Sequence, residues 1–233
     1  MRIAYQSTAV LPQSLSIMSI HKVVMKVDVL AVVGSKRREG NTASLVAEVT
    51  KSLENHGLNV KTINLDDYRI EGCRGCEACS DDSTCIIEDG MMDIYPLISE
   101  ADAIVLASPT YFYNVTSDMK SFIDRTYCLM HFHPEDRSVW TSENEIHGTK
   151  HAVTVAVCEQ KDIADMGFTS QAMELSLQAL GYRVIENIRA LHMFGPDDAS
   201  SDADTLQSAR NAGIKLARML SMTRNLKSEK NER

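Results

Sequence analysis

Four cysteines crowd one short stretch of this chain: Cys73, Cys76, Cys79 and Cys85, spaced C-x2-C-x2-C-x5-C. Three thiolates two residues apart can wrap three corners of a cubane iron–sulfur cluster, and a fourth can close it. Structural zinc more often takes two separated cysteine pairs. Uncomplexed thiols and a disulfide or redox switch are the other chemistries this grouping allows. Cys128 and Cys158 stand apart from it. A disulfide framework spreads its cysteines over a small secreted domain, so the clustering favours metal or redox chemistry.

A second group is polar. The segment GSKRREGNT, residues 34–42, follows an apolar run and precedes a helical pattern. A helix that opens there offers free N–H groups and the positive end of its dipole to an anion. Ser35, Asn41 and Thr42 can add side-chain hydrogen bonds, Arg37 a charge-assisted one, and Lys36 or Arg38 a favourable field. The spacing fits neither the dinucleotide fingerprint nor a Walker loop. The bland alternative is a polar turn capped by Thr42 with its basic residues in solvent. A third group is aromatic: Tyr111, Phe112 and Tyr113. The bland alternative is core packing after a strand, but three consecutive aromatics cannot all face one core, so this loop reads as a surface for a planar ligand.

The elements that must carry these groups alternate. Strands are predicted over residues 27–33, 58–65, 103–107, 151–157 and 182–188. Helices are predicted over 42–56, 90–99, 116–130, 169–180 and 202–220, with Pro96 late in the second and Thr116 as an N-cap of the third. Residues 66–88 form a long cysteine-bearing loop, and 131–149 read as irregular. This alternation implies an α/β fold: a doubly wound parallel sheet with helices on both faces, and ligands beyond the carboxyl ends of the strands. The 233 residues suffice for one domain, over 25–222, flanked by an extension (1–24) and a polar tail (223–233) expected to fray. Twenty-four basic against 32 acidic residues give a net charge of −8, which argues against nucleic acid or an anionic membrane as partner. Without an apolar span or a convincing export signal, a cytoplasmic location is expected.

The motif G-S-x-R-x-x-G-N-T at 34–42, with S-P-T-Y-F at 108–112 and M-K-x-F-I-D-R at 119–125, resembles the NAD(P)H-dependent FMN reductase and iron–sulfur flavoprotein group of the flavodoxin-like superfamily. The resemblance implies a five-stranded sheet of order 2-1-3-4-5. It implies that Ser35, Arg37, Asn41 and Thr42 hold the FMN phosphate, and that Pro109, Thr110, Tyr111, Phe112, Tyr113 and Asn114 line the isoalloxazine ring. It further implies a [4Fe–4S] cluster on Cys73, Cys76, Cys79 and Cys85, next to FMN. Ferredoxin or NAD(P)H would be the donor, a small molecule or protein the acceptor, and the protein a homodimer or homotetramer. A clusterless FMN or quinone reductase, and a redox-sensing or zinc-stapled binding module, are the alternatives. The cysteine run departs from the ferredoxin pattern in its last gap and in Ile86, where proline is usual. The helix entry Glu88-Asp89-Gly90-Met91 departs from the group's D-D-M. Asp81, Asp82, Glu88 and Asp89 read as solvated acids, and Lys120, Asp124 and Arg125 as structural. His131 and His133 offer either a weak metal pair or a screen over the flavin, and residues 158–160 a third contact to FMN.

Overall fold

The computed structural model describes residues 26–80, 82–148 and 150–231; the expected extension at 1–24 and Asp81 lie outside them. Short β-branched runs that are apolar on both sides can only be buried between two helical layers. That is where they sit. Strands β1 (Val29–Val33), β2 (Val60–Asn64), β3 (Ala103–Pro109), β6 (Lys150–Val157) and β7 (Tyr182–Ala190) form a parallel sheet in the order β2-β1-β3-β6-β7. This is the expected 2-1-3-4-5 order, with a small antiparallel hairpin, β4 (Met130–Phe132) and β5 (Trp140–Ser142), inserted after β3.

Helices α1 (Asn41–Glu54) and α7 (Ala203–Asn231) cover one face, where Val29, Ala31 and Val33 meet Leu45, Val49, Ala209 and Leu216. Helices α2 (Met91–Glu100), α3 (Ser117–Arg125) and α5 (Thr169–Ala179) cover the other, where Leu30 and Val32 meet Met91, Ile94, Met119 and Phe122. The alternation of side chains along β1 thus feeds two cores.

Three expectations need correction. The stretch 131–149 is not irregular: besides the hairpin it holds α4 (Glu143–His147), closed by a capping box between Ser142 and Glu145. Helix α3 stops at Arg125 and passes into a 3-10 turn (Thr126–Leu129) rather than running to 130. Helix α7 begins, with the short α6 (Asp198–Ser201) before it, at Ala203 and continues beyond residue 220 to Asn231. Arg224 gives the physical reason, because it bonds Asp28 and Asp102 at the starts of β1 and β3.

Candidate functional site

The two loops expected to hold a ligand meet at the carboxyl edge of the sheet. Strands β1 and β3 are neighbours, so the loops that leave them emerge side by side. Thr116 ties them: its Oγ1 donates to the Gly34 carbonyl at 2.7 Å and accepts the Met119 N–H at 3.3 Å, so one hydroxyl both caps α3 and pins the first loop. Ser108 Oγ accepts the Thr116 N–H at 3.1 Å.

In the first loop Ser35 and Thr42 are buried, and Ser35 Oγ accepts the Arg37 N–H at 3.2 Å. Gly40 precedes α1 with φ 156° and ψ 178°, a conformation open to glycine. It brings no side chain to the N–H groups of the first helical turn, which leaves them for an anion. The three basic residues are not equivalent. Lys36 reaches Asp118 (3.3 Å) and Asp66 (3.8 Å), and Arg38 grips Asp67 through both terminal nitrogens (2.8 and 2.6 Å). Among the described residues Arg37 has no ion pair, so its charge is uncompensated. Asn41 differs from expectation: Nδ2 donates to the carbonyls of Met193 and Gly195, and Oδ1 accepts the Ala199 N–H. Its carboxamide fastens α1 to α6 and the chain before it.

The second loop is a tight reversal. Tyr111 and Asn114 exchange backbone hydrogen bonds (2.8 and 3.2 Å), and between them Phe112 and Tyr113 have φ of 47° and 68°. Two positive φ values at the central positions are what a type I′ turn demands, a conformation that bulky residues rarely adopt. Phe112 is 96% exposed, so core packing does not reward the strain. Gly167, in the connection after β6, supports the turn from behind. A Cβ there would stand 2.3 Å from the Tyr113 carbonyl oxygen, and the Phe168 N–H donates to that oxygen. Thr110 Oγ1 is buried without a hydrogen-bond partner among the described residues, and a buried hydroxyl left so is a place for a ligand atom. Pro109 ends β3, and Asn114 Oδ1 accepts the Val115 N–H. Phe168 and Phe194 add exposed rings at this edge that sequence reasoning did not single out. Residues 158–160 are engaged with β7 and its extension: Cys158 is buried, and its backbone bonds Ala190 and Met193.

The cysteine loop lies elsewhere. Cys73, Cys76, Cys79 and Cys85 line one cavity of about 600 Å³, against Ile123, Tyr127, Phe132, Arg137 and Trp140. Burial, and then the neighbouring Cys85, Cys73 and Cys76, push the Cys79 thiol above its ordinary range. The Gly75 N–H points at Cys73 Sγ from 3.5 Å. Four thiols in one cavity are the donor set and number of an iron–sulfur site, although among the described residues no three His, Cys, Asp or Glu side chains converge on one point. Helix α3 runs back from the carboxyl edge, and its C-terminal end borders this cavity. About 13 Å of helix axis therefore separates Thr116, at the ligand edge, from Arg125, beside the cysteine loop. Met130, Phe132 and Trp140 of the hairpin line this cavity. His131 Nε2 bonds Glu143 at 2.7 Å, and the other oxygen of Glu143 bonds His147 at 3.1 Å. Asp89 is not a solvated acid either; its buried carboxylate pairs with Arg125 at 2.7 Å. Lys120 and Asp124 form the expected one-turn pair.

Comparison with known proteins gives concordant results. Residues 27–163, more than half of the chain, match the family model described as NADPH-dependent FMN reductase. An iron–sulfur flavoprotein of Methanocaldococcus jannaschii is 30% identical over 200 residues, spanning 83% of this chain and 97% of that protein. Another, of Archaeoglobus fulgidus, is 38% identical over 96 residues, but the match spans 41% of this chain and only 44% of the relative's length. Among solved structures, an NAD(P)H:quinone oxidoreductase from Methanothermobacter marburgensis superposes with a TM-score of 0.61 at 18% identity, over 81% of this chain and 95% of that one. An archaeal flavodoxin does so with a TM-score of 0.51 at 16% identity, over 83% and 99%. At such identities the likeness concerns the fold, which is flavodoxin-like. No helix among the described residues is long and apolar enough to cross a membrane.

Proposed function

The chain belongs to the NADPH-dependent FMN reductase family, in its iron–sulfur flavoprotein group, and from that premise we propose that it is a flavin-dependent oxidoreductase that binds FMN at the carboxyl edge of the sheet and exchanges electrons with a [4Fe–4S] cluster on Cys73, Cys76, Cys79 and Cys85. The observation that carries this reading is the junction of the two loops through Thr116. It places an anion-ready helix start and the uncompensated Arg37 beside an aromatic turn and the unpartnered Thr110 hydroxyl. When bound, FMN supplies both two-electron and one-electron chemistry, and the cluster supplies one-electron steps.

The chain's own residues have separable tasks in this reading. Arg37, Ser35, the Thr42 side chain and the N–H groups of the first turn of α1 neutralise and orient a phosphate. Pro109, Thr110 and the turn from Tyr111 to Asn114 shape a flat, partly apolar seat. The bonds between Tyr111 and Asn114 leave the Phe112 and Tyr113 N–H groups without a backbone acceptor among the described residues, which suits them to an electron-rich ring. NAD(P)H or ferredoxin is the proposed donor, and a small molecule or a protein the acceptor. The exposed rings of Phe112, Phe168 and Phe194 support a homodimer or homotetramer that covers this edge, and a cytoplasmic setting suits reduced thiols.

A clusterless FMN or quinone reductase is the second reading, favoured by the absence of a converged ligand set among the described residues. Flavin, iron and acid-labile sulfide analysis of anaerobically purified protein tests both. One FMN with about four irons and four sulfides per chain is expected. Flavin without iron selects the second reading, and stoichiometric zinc with no flavin overturns both.

A further inference from the structure

Arg125 heads the largest fully buried side chains of the described residues, and it is 2% exposed. Nothing in the flavin seat uses it. Its guanidinium points to the two flanks of the cysteine loop. Nη1 donates to the Glu71 carbonyl at 3.0 Å and to Asp89 Oδ2 at 2.7 Å, and Nη2 donates to the Ile87 carbonyl at 3.0 Å. Glu71 lies two residues before Cys73, and Ile87 two residues after Cys85. Asp89 completes the neck: its Oδ2 also accepts the Glu71 N–H at 2.7 Å, its Oδ1 accepts the Met91 N–H at 3.0 Å, and the Gly90 N–H donates to the Arg69 carbonyl at 3.0 Å. The Arg125 carbonyl in turn accepts the Tyr95 hydroxyl at 2.9 Å and the Cys128 thiol at 3.4 Å.

Desolvating a guanidinium is costly and is offset only where its partners are well placed. Here those partners are a carboxylate and two carbonyls drawn from the loop's opposite ends. Only a rigid, planar fork can reach across such a neck, and a lysine ammonium cannot reproduce it. Groups that orient metal ligands without touching the metal commonly set affinity as strongly as the ligands do.

We infer that Arg125 is the positioning residue of the four-cysteine loop: by bridging Glu71, Ile87 and Asp89 it closes the neck and fixes the span from Cys73 to Cys85 before any metal arrives. The role in metal capture rests on the cluster reading above; the closure of the neck does not. Helix α3 carries the clamp at one end and the Thr116 tie at the other, so it holds the cysteine loop and the flavin seat in one frame.

The test uses the full-length chain, metal-free, as wild type and as Arg125→Met, Arg125→Lys and Asp89→Asn. Circular dichroism and FMN content report the fold. Trypsin cleavage after Arg74 reports opening of the loop, and Co(II) titration, followed by its thiolate charge-transfer bands, reports ligand geometry. Arg125→Met is expected to keep FMN, to be cut after Arg74 at least about tenfold faster, and to bind Co(II) about 10- to 100-fold more weakly. Arg125→Lys should recover only a fraction of either property. If Arg125→Met does not fold, Asp89→Asn decides, with the same changes expected at smaller size. Wild-type cleavage and wild-type Co(II) spectra in a folded variant overturn the inference. A wild-type chain whose thiols take no Co(II) sinks the metal role, and cleavage after Arg74 alone then judges the clamp.

Discussion

Three neighbouring basic side chains in one loop look interchangeable in the sequence, and the structure separates them by their partners. Lys36 and Arg38 are neutralised by Asp118 and Asp67, whereas Arg37 has no ion pair among the described residues. Removing Arg37 should therefore weaken FMN far more than removing either neighbour. Arg37→Ala is expected to lose about 1.5–3 kcal/mol of FMN affinity, the range of a hydrogen bond to a charged group. Flavin fluorescence titration measures this, and an unaltered Kd would falsify the phosphate site. Cysteines separate in the same way. Burial pushes the Cys128 thiol up to about 11, whereas Cys73 and Cys76 are exposed. Only the thiolate is alkylated. In native metal-free protein at about pH 8, iodoacetamide should label Cys73 and Cys76 while Cys128 stays unmodified, as peptide mass mapping would reveal. None of this could be read from residue types, because an asparagine after glycine at a helix start suits an anion as well as it suits the carbonyls of Met193 and Gly195.

Elements were legible where one pattern dominated. The runs VLAVV and AIVLA have no reading but a buried strand, and Thr116 declared its helix because a hydroxyl at that position satisfies a free N–H. The hairpin at Met130–Phe132 and Trp140–Ser142 was not legible, because its three-residue strands are too short to show alternation among polar neighbours. The reach of α7 was hidden for another reason: Arg224 finds Asp28 and Asp102 only after the sheet has formed. The aromatic loop was read as a ligand surface, but its reversal depends on Gly167, which lies fifty-odd residues away. Because Phe112 holds a positive φ and little of it is buried, Phe112→Gly should relieve strain. The flavin-free protein is expected to change between zero and a gain of about 1 kcal/mol, while FMN binds more weakly. Thermal unfolding with and without FMN separates the two effects; a marked loss of stability in the flavin-free form would make Phe112 a packing residue instead.

For the whole molecule, one buried base links stability to pH. His151, on β6, lies between Ala103 and Arg183 in the sheet, its Nδ1 without a partner among the described residues. Burial first, and Arg183 second, lower its pKa in the folded state. The unfolded chain takes up the proton below about 6.5, and the folded chain does so only at lower pH. Over that window the unfolded state binds more protons, so stability falls as the pH drops from about 6.5 toward the depressed folded value and is regained as it rises. His151→Leu is expected to flatten this part of a Tm-against-pH profile; a slope identical to wild type would place its origin elsewhere.

The latch of Arg224 onto Asp28 and Asp102 also has a practical reach. It moors the final helix at the starts of β1 and β3, the pole opposite the edge where the aromatic turn and Arg37 stand. Cargo grafted beyond that mooring, whether a fluorophore, a surface tether or an electrode linker, would hang from the far side of the sheet and leave the mouth of the proposed flavin seat open to whatever must enter or dock there.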